Sequence, residues 1–392
     1  MADRWASLAA RAPVTIVFGV LGLSSGSWAA RIPAIKTALG LSPGVLGLTL
    51  LGPALGSVLA MPVAGAILAT VPPRRVVQCG LLFLAGMLPL TTVVSSPWQL
   101  FAVLAGWGAG LGVVDVGINM EGAAVQDRLG RRTMSGFHAA YSVGGLVGAG
   151  LGGIAAASGV TARADFIAAG VVVLLAGGIS AQLFSAAQPA HSVAEPSAPR
   201  PTARRWPQWS LVLICLAAMA FGSFLAEGAA SDWSAVYLHF SLGASAGLAA
   251  AGYTVFSLTM TGGRLVGDRL ADVAGPARLV RLSAGAAAAG FAVALLVGQV
   301  WSALAGFALL GAGLSVVVPL VFSAAAATAR PGPNLALVTS SGYLGVLAGP
   351  ALIGGVAQLT GLHAALGIVV ILCVMCAVLA GFVLPRSARD ED

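Results

Sequence analysis

Residues 108–114 read Gly108-Ala109-Gly110-Leu111-Gly112-Val113-Val114, and 203 positions later Gly311-Ala312-Gly313-Leu314-Ser315-Val316-Val317 repeats the pattern with one change. Other pairs keep nearly that offset: Ser135-Gly136-Phe137 matches Ser341-Gly342-Tyr343, and Trp28 matches Trp233. A chain of 392 residues with this internal match is built of two similar halves. Both copies lie inside long apolar runs, so the repeated unit is a bundle of membrane-length helices.

Working outward from the repeat, runs of roughly 18–25 apolar residues recur along the chain, each long enough at ~1.5 Å per residue to cross a hydrocarbon layer ~30 Å thick. Twelve are expected, near 12–30, 44–69, 76–94, 98–122, 136–158, 163–184, 209–230, 245–267, 278–296, 300–323, 335–357 and 362–384. Only 8% of residues are charged, 58% are hydrophobic and 53 are Gly, a balance that leaves lipid as the solvent for most side chains. The expected fold is an all-α membrane protein of two six-helix bundles, 1–184 and 209–392, the second with a short C-terminal tail. Between them, residues 185–208 form a Pro- and Ala-rich linker.

Basic residues accumulate in short cytoplasmic loops. With the N-terminus inside, seventeen arginines fall on the cytoplasmic side and only Arg31, Lys36 and Arg163 outside, which places both termini in the cytoplasm. The inner set includes Arg131, Arg132, Arg200, Arg204, Arg205, Arg386 and Arg389. The basic balance therefore reflects membrane orientation, and no nucleic-acid surface is expected. Reading residues 1–30 as a signal peptide would leave eleven spans and break this charge alternation. The four cysteines all fall in spans, where a disulfide or metal framework is not expected.

Two parallel six-helix repeats joined by a linker resemble the major facilitator superfamily, whose halves rock around a midplane site. The resemblance covers the whole chain. Its loop signature between the eighth and ninth helices is matched by Gly263-Arg264-Leu265-Val266-Gly267-Asp268-Arg269. The first-half copy keeps Arg74 and Arg75 but has no Asp. The resemblance implies an inner gate of Gly263, Arg264, Asp268, Arg269, Arg74 and Arg75; plain loop charges that anchor helix ends are the other reading.

Polar residues present in one half and missing from the other mark specialisation, because charge at membrane depth is rare unless something uses it. Asp115 aligns with Val318, Asn119 with Phe322 and His138 with Leu344, while Glu227 aligns with Gly22 and Asp232 with Ser27. Asp115 and Asn119 are four apart and share a helix face. At ~25 Å from the outer start of its helix, Asp115 can exchange a proton or bond a substrate hydroxyl, or serve as a structural tie. His138 and Tyr141, one turn apart, are placed near that depth, so a relay from Asp115 through His138 is one reading and a structural histidine the other. An acid followed four residues later by Asn is similar to the fucose-permease-like branch of the superfamily. Glu227-Gly228-Ala229-Ala230-Ser231-Asp232-Trp233-Ser234 and Met134-Ser135-Gly136-Phe137-His138 resemble a bacterial subgroup of uncharacterised permeases within it. That branch has Glu where Asp115 stands and a second acid near the outer end of its first helix, which 27–33 lack.

In this fold the first and seventh helices approach near the outer surface. An outer gate is expected in which Arg31 pairs with Glu227 or Asp232, flanked by Trp28 and Trp233, with snorkelling of Arg31 as the alternative. Trp28, Trp233, Tyr237, Tyr253 and Tyr343 are candidates for stacking on a ring or for interfacial anchoring. Glu121, Asp127 and Arg128 are expected at the solvated end of the fourth helix.

No Walker loop, dinucleotide fingerprint, zinc pattern or nucleophile elbow appears in its required context, so no enzyme activity and no cofactor are expected. The resemblance implies a secondary active permease of a small polar, sugar-like solute, proton-coupled, acting as a monomer in contact with membrane lipid in the bacterial inner (plasma) membrane. The alternatives are a proton-driven exporter of drugs or secondary metabolites and a non-transporting sensor of the same fold.

Overall fold

The computed structural model describes residues 2–130, 133–184, 211–328 and 330–384. The linker 185–208, the C-terminal tail and Arg131, Arg132, Arg200, Arg204, Arg205, Arg386 and Arg389 lie outside the described residues. Twelve helical segments run through the described chain, with no strand among them: α1 (Ala2–Ala38), α2 (Pro43–Leu68), α3 (Pro73–Leu90), α4 (Pro97–Leu129), α5 (Met134–Ala157), α6 (Ala162–Gln182), α7 (Leu211–Ser241), α8 (Ala246–Ala274), α9 (Pro276–Val297), α10 (Val300–Ala326), α11 (Pro331–Thr360) and α12 (Leu362–Val383). Ten are long and apolar enough to cross a membrane. The other two are α3, which opens with Arg74 and Arg75, and α8, which carries Arg264, Asp268, Arg269 and Asp272.

Local chemistry sets the helix ends. Ser96 precedes α4 in an extended conformation, its Oγ accepts from Gln99 N at 3.3 Å, and Pro97 takes the first turn; Gly130 then closes α4 at φ 61°. Ser245 caps α8 by accepting from Leu248 N at 3.4 Å. Nothing in the sequence of α8 breaks it before Gly275, at φ 78°, which is followed by Pro276 opening α9. The segment Gly263–Arg269 is therefore helical, not a loop between two helices. Its charges can stay in a helix because the helix runs on past its apolar stretch.

Three of these helices are interrupted, α2 at Leu50 and α12 at Leu366 by a single residue and α10 by two. α10 consists of Val300–Leu314 and Val317–Ala326, with a turn at Ser315 and Val316. Pro319 accounts for it, having no N–H to give the carbonyl of Ser315 and a ring that crowds it. Ser315 Oγ turns back to donate to Ala312 O at 2.6 Å, and a Cβ at Gly263 of α8 would collide with that hydroxyl. In α4, the homologous helix, residues 112–116 are continuous.

The chain separates into two compact units, one of Met1–Leu41 with Thr49–Thr202 and one of Ser42–Leu48 with Ala203–Asp392. The start of α2, Ser42–Leu48, thus belongs to the second unit, unlike the expected division at the linker. There Gly44 N donates to Gln358 Oε1 at 3.2 Å. Within unit 1, α1 packs on α5 and α2 on α4. The glycines of the sequence repeat are the contact points: a Cβ at Gly108 would strike Pro53 of α2, and one at Gly311 would strike the Phe256 backbone of α8. The repeat is thus a record of the same close helix pair built once in each unit.

Candidate functional site

In unit 1, three helices bring polar groups together. Asn119 Nδ2, one turn after Asp115 on α4, donates to Asp115 O at 2.8 Å and to Asp115 Oδ1 at 3.0 Å. On α5, His138 and Tyr141 both interact electrostatically with Asp115. Tyr141 Oη and Ser25 Oγ of α1 share a hydrogen bond of 3.0 Å. Close approach of α1 and α5 makes this possible, since a Cβ at Gly22 would collide with the Tyr141 backbone and one at Gly26 with Gly145. His138 rests edge-on against Phe18, with ring centroids 5.0 Å apart.

None of these five side chains is fully buried, and His138 and Tyr141 are exposed. A carboxyl, an amide, an imidazole, a phenol and a hydroxyl thus share one face of an otherwise apolar bundle. Facing lipid, such a group would be costly; facing water or a solute, it supplies donors and acceptors for several hydroxyls and one acid able to take up a proton. The structure brings together Asp115, Asn119, His138 and Tyr141 as the sequence led one to expect. Ser25 was missed, although its spacing from Leu21, on whose carbonyl it also donates at 3.1 Å, marks it as a half-buried serine on α1.

Unit 2 has a different arrangement. Phe221, Phe224, Glu227 and Ser231 recur at helical spacing along α7, all half-buried, and so form one open stripe. Arg264 Nη2 of α8 donates to Glu227 Oε1 at 3.4 Å and Oε2 at 3.3 Å. Ser231 Oγ donates to Gly228 O at 3.0 Å and bonds Asp232 Oδ1 at 3.1 Å. Phe224 stacks on Tyr343, centroids 6.1 Å apart, and tilts against Phe322 at 6.3 Å. Phe322 stands where the repeat places Asn119 in unit 1, so the equivalent wall is aromatic where the first is polar.

Several expectations are corrected. Arg31 is held inside its own unit: Nε donates to Asp165 Oδ2 at 2.6 Å and Nη2 to Val160 O at 3.0 Å, with Arg31 buried and Asp165 mostly so. Glu227 is the seventeenth of thirty-one residues in α7, a mid-helix position and not an outer one, and it is met by Arg264. Arg264, expected at the inner gate, is here the partner of Glu227. Trp28 is a core residue, lying 6.3 Å from the Trp107 ring and 6.2 Å from Phe166. Trp233 and Tyr237 are fully buried, and Tyr237 Oη bonds His363 Nδ1 at 3.1 Å. These rings are packed away from any solute; of the five aromatic candidates Tyr343 is the exposed one. Glu121 is buried rather than solvated and accepts from Arg128 Nη2 at 3.1 Å. Gly263 serves as the packing point beneath Ser315, while Arg74, Arg75, Asp268 and Arg269 are exposed.

Residues 14–334 match the family model described as Major Facilitator Superfamily. An uncharacterised MFS-type transporter of Yersinia pestis is 35% identical over 369 residues, covering 92% of this chain and 92% of that protein. Among solved structures, the nucleoside transporter NupG superposes with a TM-score of 0.74 at 13% identity, covering 95% of this chain and 97% of that one. A D-xylose–proton symporter gives 0.68 at 15%, covering 95% and 98%. Fold, helical repeat and relatives agree, and the chain belongs to the major facilitator superfamily, a family of membrane transporters and not of enzymes.

Proposed function

We propose that this transporter is a proton-coupled permease that carries a small polar, hydroxylated solute by alternating access. The observation that carries the reading is the cluster of Ser25, Asp115, Asn119, His138 and Tyr141 on one face of unit 1. Hydroxyls of a sugar-like solute find both donors and acceptors there, and Asp115, beside an imidazole and a phenol, is the group that takes up and releases the proton. Glu227 and Arg264 form a second polar contact in unit 2, open to rearrangement because Arg264 is 41% exposed. NupG and the xylose symporter share the fold with this chain, and the solute class is inferred from the cluster. The asymmetry of basic residues, seventeen to three, supports placing the protein in a bacterial inner membrane with both termini cytoplasmic.

One observation favours a second reading: Phe224, Phe322 and Tyr343 make an aromatic wall suited to a lipophilic compound, as an exporter would need. Proton movement in proteoliposomes separates the two. Sugars, nucleosides and lipophilic cations are screened with the native protein, Asp115→Asn and Tyr141→Phe. Solute-driven proton uptake by a hydroxylated compound, lost in Asp115→Asn while solute exchange persists, supports the permease; a response to lipophilic cations alone rejects it.

A further inference from the structure

Away from both polar faces, unit 2 has a cavity of about 480 Å³ between α9 and α12, lined by Arg281, Ala377, Val378, Gly381 and Phe382. Its walls are apolar and open: Val378 is 53% exposed and Phe382 79%. Gly381 makes the room, because a Cβ there would stand 3.3 Å from Arg281 Cδ and 3.5 Å from Nε. The guanidinium is therefore laid across a bare stretch of backbone at the edge of an apolar groove. Among the described residues no acidic side chain pairs with Arg281.

Depth decides what can fill such a cavity. Arg281 is the sixth residue of α9 and Gly381 lies two residues before the end of α12, so the cation sits within ~8 Å of the helix ends. That is the level of the headgroup layer, ~5–7 Å thick on each side of the hydrocarbon. Apolar walls below and one planar cation at the rim match a molecule with acyl chains and an anionic phosphate. Arg278, one turn nearer the helix start and exposed, supplies a second cation on the same face.

We propose that the α9–α12 cavity binds one anionic phospholipid, its phosphate on Arg281 and an acyl chain along Val378 and Phe382. The orientation proposed above puts this lipid in the cytoplasmic leaflet; the lipid preference itself does not depend on it. Purified full-length protein is titrated with phosphatidylglycerol or phosphatidylcholine of identical acyl chains, and bound lipid is counted by native mass spectrometry. The native protein is expected to keep one phosphatidylglycerol in preference to phosphatidylcholine, by about fivefold or more for one basic side chain. Arg281→Gln should abolish the preference, Arg281→Lys should keep most of it, and Gly381→Leu, which fills the cavity and leaves the charge, should also lose it. Arg75→Gln, at an exposed arginine of α3, should leave the lipid preference unchanged. Equal uptake of the two lipids by the native protein, or an undiminished preference in both Arg281→Gln and Gly381→Leu, overturns the proposal. So does a preference that appears only after residues 386–392 are deleted, since the acidic end Asp390-Glu391-Asp392 would then be the occupant.

Discussion

Arg31 and Asp165 form an ion pair with Nε and Oδ2 2.6 Å apart, joining the C-terminal part of α1 to the first turn of α6. The carbonyl of Val160 accepts a second bond from the same guanidinium, so the cation is matched by both a charge and a backbone dipole. Removing one partner of a buried pair leaves an uncompensated charge, at a cost of ~3–5 kcal/mol. Arg31→Gln and Asp165→Asn should each destabilise the detergent-solubilised protein by about that amount, measured by denaturant titration. The double variant Arg31→Met with Asp165→Leu should recover much of the loss. If it is no better than either single change, the two residues do not act as a pair.

Glu227 and Arg264 should behave in the opposite way. Their contacts are 3.3–3.4 Å long and Arg264 is 41% exposed, so either charge can be hydrated when its partner is lost. Glu227→Gln and Arg264→Gln should alter stability by no more than ~1 kcal/mol while lowering transport. Denaturant titration beside a flux assay checks this, and a large stability loss with normal flux would make the pair a structural tie.

Gly22 sets the distance at which Ser25 meets Tyr141. Gly22→Val should force α1 away from α5 and unfold unit 1 or abolish its solute binding, although no polar group is changed. Gly86→Ala in α3 is the counterpart, because nothing lies within 4 Å of its Cβ position. It should be neutral or stabilising by up to ~1 kcal/mol. Thermal unfolding followed by size-exclusion chromatography tells the two apart; similar behaviour would mean that the α1–α5 contact tolerates expansion.

Pro319→Ala should mend the interruption in α10 by supplying an N–H to Ser315 O. Hydrogen exchange at residues 316–320 reads the result, with slower exchange expected. Unchanged exchange would assign the turn to the Ser315–Gly263 contact instead.

The helices and the repeat were legible because lipid permits few residue types and a single length, so apolar runs report directly on spans. Asp115 and Asn119 were legible for a local reason: four residues on one helix determine their own contact. His138 follows from comparing the two halves, and Tyr141 from lying one turn after it on the same face. What could not be read was pairing across long separations. Arg31 finds Asp165 at a distance of 134 residues, and no periodicity encodes that choice; the cue available was an acid opening a helix after Thr161, which accepts from Ala164 N. α4 and α8 run past their expected ends at 122 and 267, as α1 and α7 run past 30 and 230, because polar and charged residues at the end of an apolar run continue the helix. The stop signals Gly130 and Gly275-Pro276 were present and were better guides.

The turn at Ser315 and Val316 has a mechanical consequence. α4 is a continuous rod of thirty-three residues, and Asp115 is carried at its nineteenth. Its counterpart α10 is jointed one turn before the homologous position, Val318. The two halves therefore differ in compliance as well as chemistry: the carboxyl rides on the stiff member and keeps its setting, while bending strain collects in the member that has none.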